Sequence, residues 1–499
     1  MHTKAIGWIV GLLFVFTDAL AQEERVTVLD GPGWAGSIGP YEDSLLLVVG
    51  STHRGRFPDG SGIHCIVDKN LKLIERVEDG MAYHTSFQSY VITGDTIVFF
   101  GSAYNTFVGM KFQGLIYKFH DYAPVGFYRF GGPKWEMFLR GALVDERFYG
   151  IGMTTTSEDQ EPDTSPLDFY VCKVGRTGEP VWSLSYGTPL QDNLAEVVWS
   201  LDSTTMLLAG SAETDFPYTS FGNLVLIDTA GQILWQKEFR LADNSDFTFI
   251  TAACRAPDDG YYIALRGDHS SWAFYPSIGK VDGNGDTVFI KRFHNAALHD
   301  TAQANRQWRY ARFHSIQTLR NGDLLVTGYW NTSATVEALD ALVVRCTPEG
   351  KTIWRYEYDS LDNDRFTNAY EDEDGYIYAC GYTSQIGEPG NMLLAKFDPY
   401  GCVLETCVIP TPRPAEQHLA FSVTPNPFTN AFQVTYYDGS FDDNVSLSVF
   451  DATGRVVFET KTIASPETRL VNTSHWAGGF YIVEFQANGL VERLKVVKQ

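Results

Sequence analysis

The chain has 499 residues, enough for about three domains of ordinary size, or for fewer if one is a large all-β unit. Hydrophobic residues make up 44% and aromatics 14%, which excludes a disordered chain and supplies apolar surface for a core without covalent staples. A net charge of −23 repels phosphate backbones and anionic lipid heads, so nucleic-acid and lipid-surface partners are disfavoured.

At the N-terminus Lys4 precedes an apolar run from Ile6 to Phe16, and Ala19-Leu20-Ala21 presents the small-x-small pattern of a signal peptidase site. That run is far shorter than the ~20 apolar residues that span a bilayer, and no later stretch qualifies. Residues 1–21 are therefore expected to be a secretory signal cleaved after Ala21, with no transmembrane segment following.

Beyond it, short apolar runs ending in glycine recur at Gly50, Gly101, Gly152, Gly210, Gly267, Gly328 and Gly381, at intervals of 51 to 61 residues. Each follows a turn cluster such as Asp258-Asp259-Gly260 or Asn321-Gly322-Asp323. Each leads through a loop of variable length to a second apolar run and a second turn, as in the stretch from Leu224 to Trp235. The unit reads strand, turn, strand, loop, strand, turn, strand. Four short antiparallel strands over roughly 40 to 60 residues make a propeller blade. A helical reading fails because β-branched and aromatic residues dominate runs that turn chemistry keeps short. A pair of β-sandwiches gives no reason for one pattern to recur seven times.

The predicted fold is all-β: a seven-bladed β-propeller over residues 22–409, followed by a small Ig-like β-sandwich. The segment from Arg25 to Leu29 is either the strand that closes the ring or a loose leader. Trp182, Trp235, Phe289 and Trp354 hold the same place after a turn glycine. This spacing resembles the aromatic docking position of propellers with quinoprotein-like or related bacterial repeats. The resemblance implies rings wedged between neighbouring blades.

Cysteines number seven, an odd and sparse set that argues against a disulfide framework. There is no Cys-x-x-Cys pair, so a cysteine zinc site has no support. Spacing permits a Cys402–Cys407 bridge, but a buried small hydrophobe is the expected role for most of the seven.

Asp282-Gly283-Asn284-Gly285-Asp286 begins like a calcium loop, but Thr287 and Phe293 stand where a glycine and a glutamate are needed. A hairpin turn is the expected reading, and no metal or cofactor is called for. The longest interval between glycines carries His294, His299, Asp300, Arg306 and Trp308, side chains suited to one wall of a ligand face, although a solvated connecting loop is the plainer reading. Signatures of nucleophilic hydrolases, zinc peptidases, P-loops, dinucleotide sites and the sialidase Asp box are missing.

An alternating-proline stretch, Pro410-Thr411-Pro412-Arg413-Pro414, favours an extended spacer, and a linker is placed over 410–420. Residues 421–499 abandon the repeat and alternate as strands over 432–437, 445–451, 455–459, 480–486 and 491–498. Pro425-Asn426-Pro427-Phe428 opens this unit. Val445 to Val457, with its Asp451–Gly454 turn, follows, then His475 to Phe485, and Lys495-Val496-Val497-Lys498-Gln499 closes it. That succession resembles the type A C-terminal sorting domain of the type IX (Por) secretion system.

The resemblance implies that Pro425, Asn426, Pro427, Asp451, Gly454, Gly479, Tyr481, Lys495 and Lys498 belong to the sorting signal. It also implies export across the outer membrane through the type IX machinery, with lipopolysaccharide as an attachment partner. The expected function is then a secreted or surface-attached propeller that binds an extracellular glycan or protein without catalysis. The alternative is an exported propeller enzyme acting on glycans, a hydrolase or lyase.

Overall fold

The computed structural model describes residues 26–42, 44–52, 60–79, 84–105, 110–120, 123–130, 134–156, 166–213, 219–241, 247–269, 273–293, 311–330, 339–358, 363–384, 390–403, 421–425, 427–436, 446–451, 455–461, 468–487 and 490–498. The expected leader with Ala19 and Ala21, the linker, the loop bearing His294, His299, Asp300, Arg306 and Trp308, and Asn426 and Gly454 lie outside the described residues.

Regular structure among the described residues is entirely β-strand. Six antiparallel four-stranded meanders span 34–78, 84–130, 136–186, 191–239, 247–292 and 311–358. The fourth and fifth are joined by a single parallel bridge between Ser220 and Phe247. A seventh meander has three strands of its own, Asn363–Glu371, Ile377–Ser384 and Asn391–Phe397. Its fourth comes from the other end of the chain: Val26–Pro32 pairs antiparallel with Asn391–Phe397, Val26 facing Ala395 and Leu29 facing Met392. Of the two readings of this segment, the ring-closing strand is the one observed.

The continuous apolar runs have a packing cause. Middle strands such as Leu45–Ser51 and Gly62–Asp68 are covered on both faces by neighbouring sheets, so nearly every position is buried. Outer strands such as Leu73–Glu78 and Pro180–Tyr186 are far more exposed. Seven inter-sheet cores result, one between each consecutive pair of meanders. The last closes the circle, packing Tyr378, Cys380, Met392 and Leu394 against Leu46, Val48, Ile63 and Cys65.

The aromatic docking expectation holds for Trp182, Trp235 and Trp354 but not for Phe289, since the next turn glycine, Gly350, faces Lys291 instead, and Tyr128 takes the same role unexpectedly. Tyr128, Trp182, Trp235 and Trp354 lie so close to the turn glycines Gly178, Gly231, Gly285 and Gly401 of the following meander that a methyl group at any of these glycines would touch or collide with the ring. Trp235 Nε1 also donates to the Gly283 carbonyl at 3.2 Å. The Asp282 segment is a hairpin turn, its Oδ1 accepting the N–H groups of Asn284 and Asp286, each at 2.9 Å. Asp68, Asp228 and Asp398 cap their turns in the same way.

Every inner strand carries a register shift at one equivalent position, leaving Gly36, Gln88, Leu139, Ala195, Thr251, His314 and Thr367 as the extra residues. A bulge swings the preceding carbonyl over the partner strand. A Cβ on Gly50, Gly101, Gly152, Gly210, Gly328 or Gly381 would lie between 1.7 and 2.1 Å from such an oxygen. The repeat glycine is thus the imprint of the bulge. The fifth copy departs from expectation: Gly267 faces Thr248, and Leu265 faces Ile250 just before the bulge, where the other six copies have glycine.

Cys65, Cys172, Cys346 and Cys380 are buried free thiols and Cys254 is half-buried. Cys402 is disulfide-bonded, its partner lying outside the described residues. The C-terminal unit is two sheets, one of three strands and one of four, sharing a core of Phe428, Phe432, Val449, Tyr481 and Val496 among others. Its strands Phe421–Thr424 and Thr468–Asn472 were not among those expected from alternation.

Candidate functional site

The seven bulges converge. A central cavity of about 590 Å³ is lined by all seven extra residues, together with neighbours including Trp34, Arg140, Arg312, Arg365 and Tyr382. That volume lies inside the range of small-molecule sites, about 300 to 1,000 Å³. A second cavity of about 520 Å³ takes its wall from residues between Arg129 and Ser185 only, on the second and third meanders.

The cavity is unequal around its circumference. On the third and fourth meanders the cation is neutralised: Arg140 Nε and Nη2 donate to the two carboxylate oxygens of Glu196 at 2.6 and 2.9 Å. Burial works against that guanidinium's charge, but the Glu196 carboxylate and its hydrogen bond outweigh it and raise the Arg140 pKa. On the sixth and seventh meanders Arg312 and Arg365 have no such partner among the described residues. The Nε of each, and the Nε2 of His314, are sealed from solvent without a hydrogen bond.

Burial, and then the Arg365 charge, hold Arg312 below the usual guanidinium range. Burial, followed by the charges of Arg312 and Arg365, keeps His314 well below its ordinary pKa, so the imidazole is neutral near pH 7. Two tyrosines hold these groups in place. The Arg365 guanidinium lies 4.6 Å from the Tyr329 ring and 5.3 Å from that of Tyr382. Tyr329 in turn lies 5.3 Å from the His314 ring.

On the first meander, beside the seventh, the Trp34 ring spreads over Gly36, so close that a Cβ there would meet it at 2.9 Å. Gly36 is the one bulge without a side chain, and the indole occupies that space. Thr367 Oγ1 donates to the Ala35 carbonyl, stitching the seventh inner strand to the first.

Of the residues singled out from sequence for a ligand face, none falls among the described residues. The loop that bears them re-enters the described chain at Ala311, next to Arg312 in the cavity wall. Arg312, His314, Arg365, Tyr329 and Tyr382 were missed. A signal existed: Arg312-Phe313 and Arg365-Phe366 occupy one repeat position, and Gly328-Tyr329 and Gly381-Tyr382 another, so copies six and seven share an Arg–Tyr cross-strand pair.

In the C-terminal unit the expected signal residues separate into two groups. Tyr481 is buried and its hydroxyl donates to the Ala477 carbonyl at 2.7 Å. Lys498 is buried and its ammonium donates to the Thr473 carbonyl. Asp451 caps its turn through the Arg455 N–H at 3.1 Å. Pro425 and Pro427 are exposed, Lys495 lies exposed over the Phe480 ring at 4.8 Å, and Gly479 has φ +149°, a backbone that favours glycine.

Residues 422–499 match the family described as secretion system C-terminal sorting domain. That domain marks proteins exported by type IX secretion, so the chain's destination is the cell surface or the extracellular space. No curated protein matches the chain. Among solved structures, a Dyadobacter fermentans DSM 18053 protein of unknown function aligns with a TM-score of 0.42 at 12% identity, covering 75% of this chain and 98% of that one. Puromycin hydrolase aligns at 0.44 and 12%, covering 82% and 60%. The β-propeller domain of the Trilobed protease from Pyrococcus furiosus aligns at 0.39 and 9%, covering 74% and 95%. Among the described residues no helix is long and apolar enough to cross a membrane.

Proposed function

We propose that the chain is a seven-bladed β-propeller that binds an extracellular ligand, a glycan or a protein, in its central cavity, and that an Ig-like C-terminal sandwich carries it through the type IX machinery. The observation that carries this reading is the convergence of seven inner-strand bulges on one cavity. Each blade gives up one residue of regular pairing there, a cost concentrated where a ligand would sit. Surface lipopolysaccharide is the attachment partner this export route implies.

Binding without catalysis is the preferred reading, because no carboxylate lines the cavity among the described residues and a hydrolytic glycosidase needs two. The lyase alternative has one observation in its favour. His314 lines the cavity with Arg312 and Arg365, and a neutral imidazole has the chemistry of a base that takes the proton alpha to a carboxylate as the double bond forms and the β-oxygen leaves, protonated by water. A panel of glycans and proteins, offered to the full chain and read for both retention and turnover, separates the two. Retention without products is expected, and turnover of any polymer overturns the non-catalytic reading. Separately, removal of residues 421–499 should strand the chain inside the outer membrane, and surface delivery of the truncated form would refute the export route.

A further inference from the structure

We propose that the central cavity is a carboxylate site for an acidic saccharide, with Arg312 and Arg365 as the paired clamp. This rests on the cavity being the ligand site and adds the chemistry of what enters it.

The first argument is charge. The chain carries 61 acidic against 38 basic residues. Two other half-buried arginines are paired closely, Arg140 with Glu196 at 2.6 Å and Arg345 with Asp323 at 2.8 Å. Arg312 and Arg365 have no such partner among the described residues. They face one cavity, repel each other, and have no carboxylate against them among the described residues. Like charges held together out of bulk water are unfavourable unless a counter-charge arrives, and a ligand anion supplies it.

Preorganisation is the second argument. Tyr382, the cross-strand neighbour of Arg365, and Tyr329 of the sixth meander hold the Arg365 plane by ring contacts, so the fork need not be ordered on binding. The rest of the wall then favours a saccharide over an acidic peptide. The Trp34 ring offers an apolar platform for a sugar face, and Gln88, Thr251 and Ser384 offer amide and hydroxyl partners for ring hydroxyls.

The test is calorimetric titration of the full chain with oligogalacturonate, its methyl ester, a neutral oligosaccharide and polyglutamate, at low and high salt. Oligogalacturonate is expected to bind, the ester to bind at least about tenfold more weakly, and salt to weaken the acidic ligand only. Arg312→Gln and Arg365→Gln should each cost about tenfold or more in affinity. Both variants should fold, since each relieves a repulsion, and urea unfolding of each verifies it. Arg365→Lys, which keeps the charge and loses the fork, should fall between.

Equal binding of ester and acid overturns the proposal, as does binding indifferent to both arginines. Polyglutamate binding without oligogalacturonate overturns the saccharide while leaving a ligand site in the cavity. Binding of a neutral glycan alone, insensitive to the arginines, overturns the anion site and leaves the propeller's binding role intact. Accumulation of unsaturated uronate supports the site and overturns only the non-catalytic reading.

Discussion

Replacing Gly328 by alanine would set a methyl carbon 2.0 Å from the Arg312 carbonyl oxygen and 2.9 Å from both the carbonyl carbon and Phe313 Cα. A relaxed carbon–oxygen contact is about 3.3 Å or more, so the two strands must part by roughly 1.3 Å at the bulge. Both contacts are with backbone, so no rotamer change relieves them. The ladder between Phe313 and Gly328 must stretch or break, and two or three hydrogen bonds at about 1 kcal/mol each are at stake. Adding buried polar groups left without partners, a loss of about 3 to 5 kcal/mol is expected.

Gly126→Ala is the control. Its Cβ meets nothing nearer than the Tyr128 hydroxyl at 3.9 Å, and at such a site alanine is neutral or slightly stabilising. Urea unfolding followed by tryptophan fluorescence compares the two. If Gly328→Ala costs no more than the control, the link between repeat glycine and bulge is wrong.

Further predictions concern other parts of the ring. His64 is 2% exposed, stacks on Phe99 and meets Phe119 edge to face, and burial brings its pKa down to about 4. With the folded pKa below the unfolded 6.5, stability is complete above pH 6.5 and is lost as pH falls toward 4, by about 3 kcal/mol in all. His64→Leu should flatten that acid limb in pH-dependent unfolding, and an unchanged limb would show the loss arises elsewhere. Deleting residues 26–32 removes the outer strand of the seventh meander and uncovers its core, where Leu29 is 3% exposed. Limited proteolysis should then cut the 363–397 region first, and a protease-resistant deletion would contradict ring closure by this strand. Glu196→Gln and Arg140→Gln should each cost about 1 to 3 kcal/mol, with the double variant well short of the sum. Strict additivity in a double-mutant cycle would mean the pair contributes nothing.

The sequence alone determined the period, the strand–turn–strand grammar of each unit and the C-terminal sorting module. Sheets buried on both faces require uninterrupted apolar runs, hairpins require Asp, Asn and Gly, and a bulge requires glycine opposite it. All three requirements act within a few residues and leave local marks. Even here the fifth copy misled, because Gly267 lies two residues from the position that Leu265 fills. Phe421–Thr424 and Thr468–Asn472 escaped notice as short strands flanked by turn residues.

What only the tertiary structure decided is who meets at the axis. Trp34 and Arg365 are separated by most of the chain, and packing of the first meander against the seventh makes them neighbours at the cavity. Neutralisation of Arg140 by Glu196, 56 residues away, could not be inferred from either local pattern. Nor could the contrast with Arg312 and Arg365, whose shared repeat position was visible but whose unpaired charge was not. Charge balance in a cavity is a sum over everything within a few ångströms, and sequence order does not record that distance.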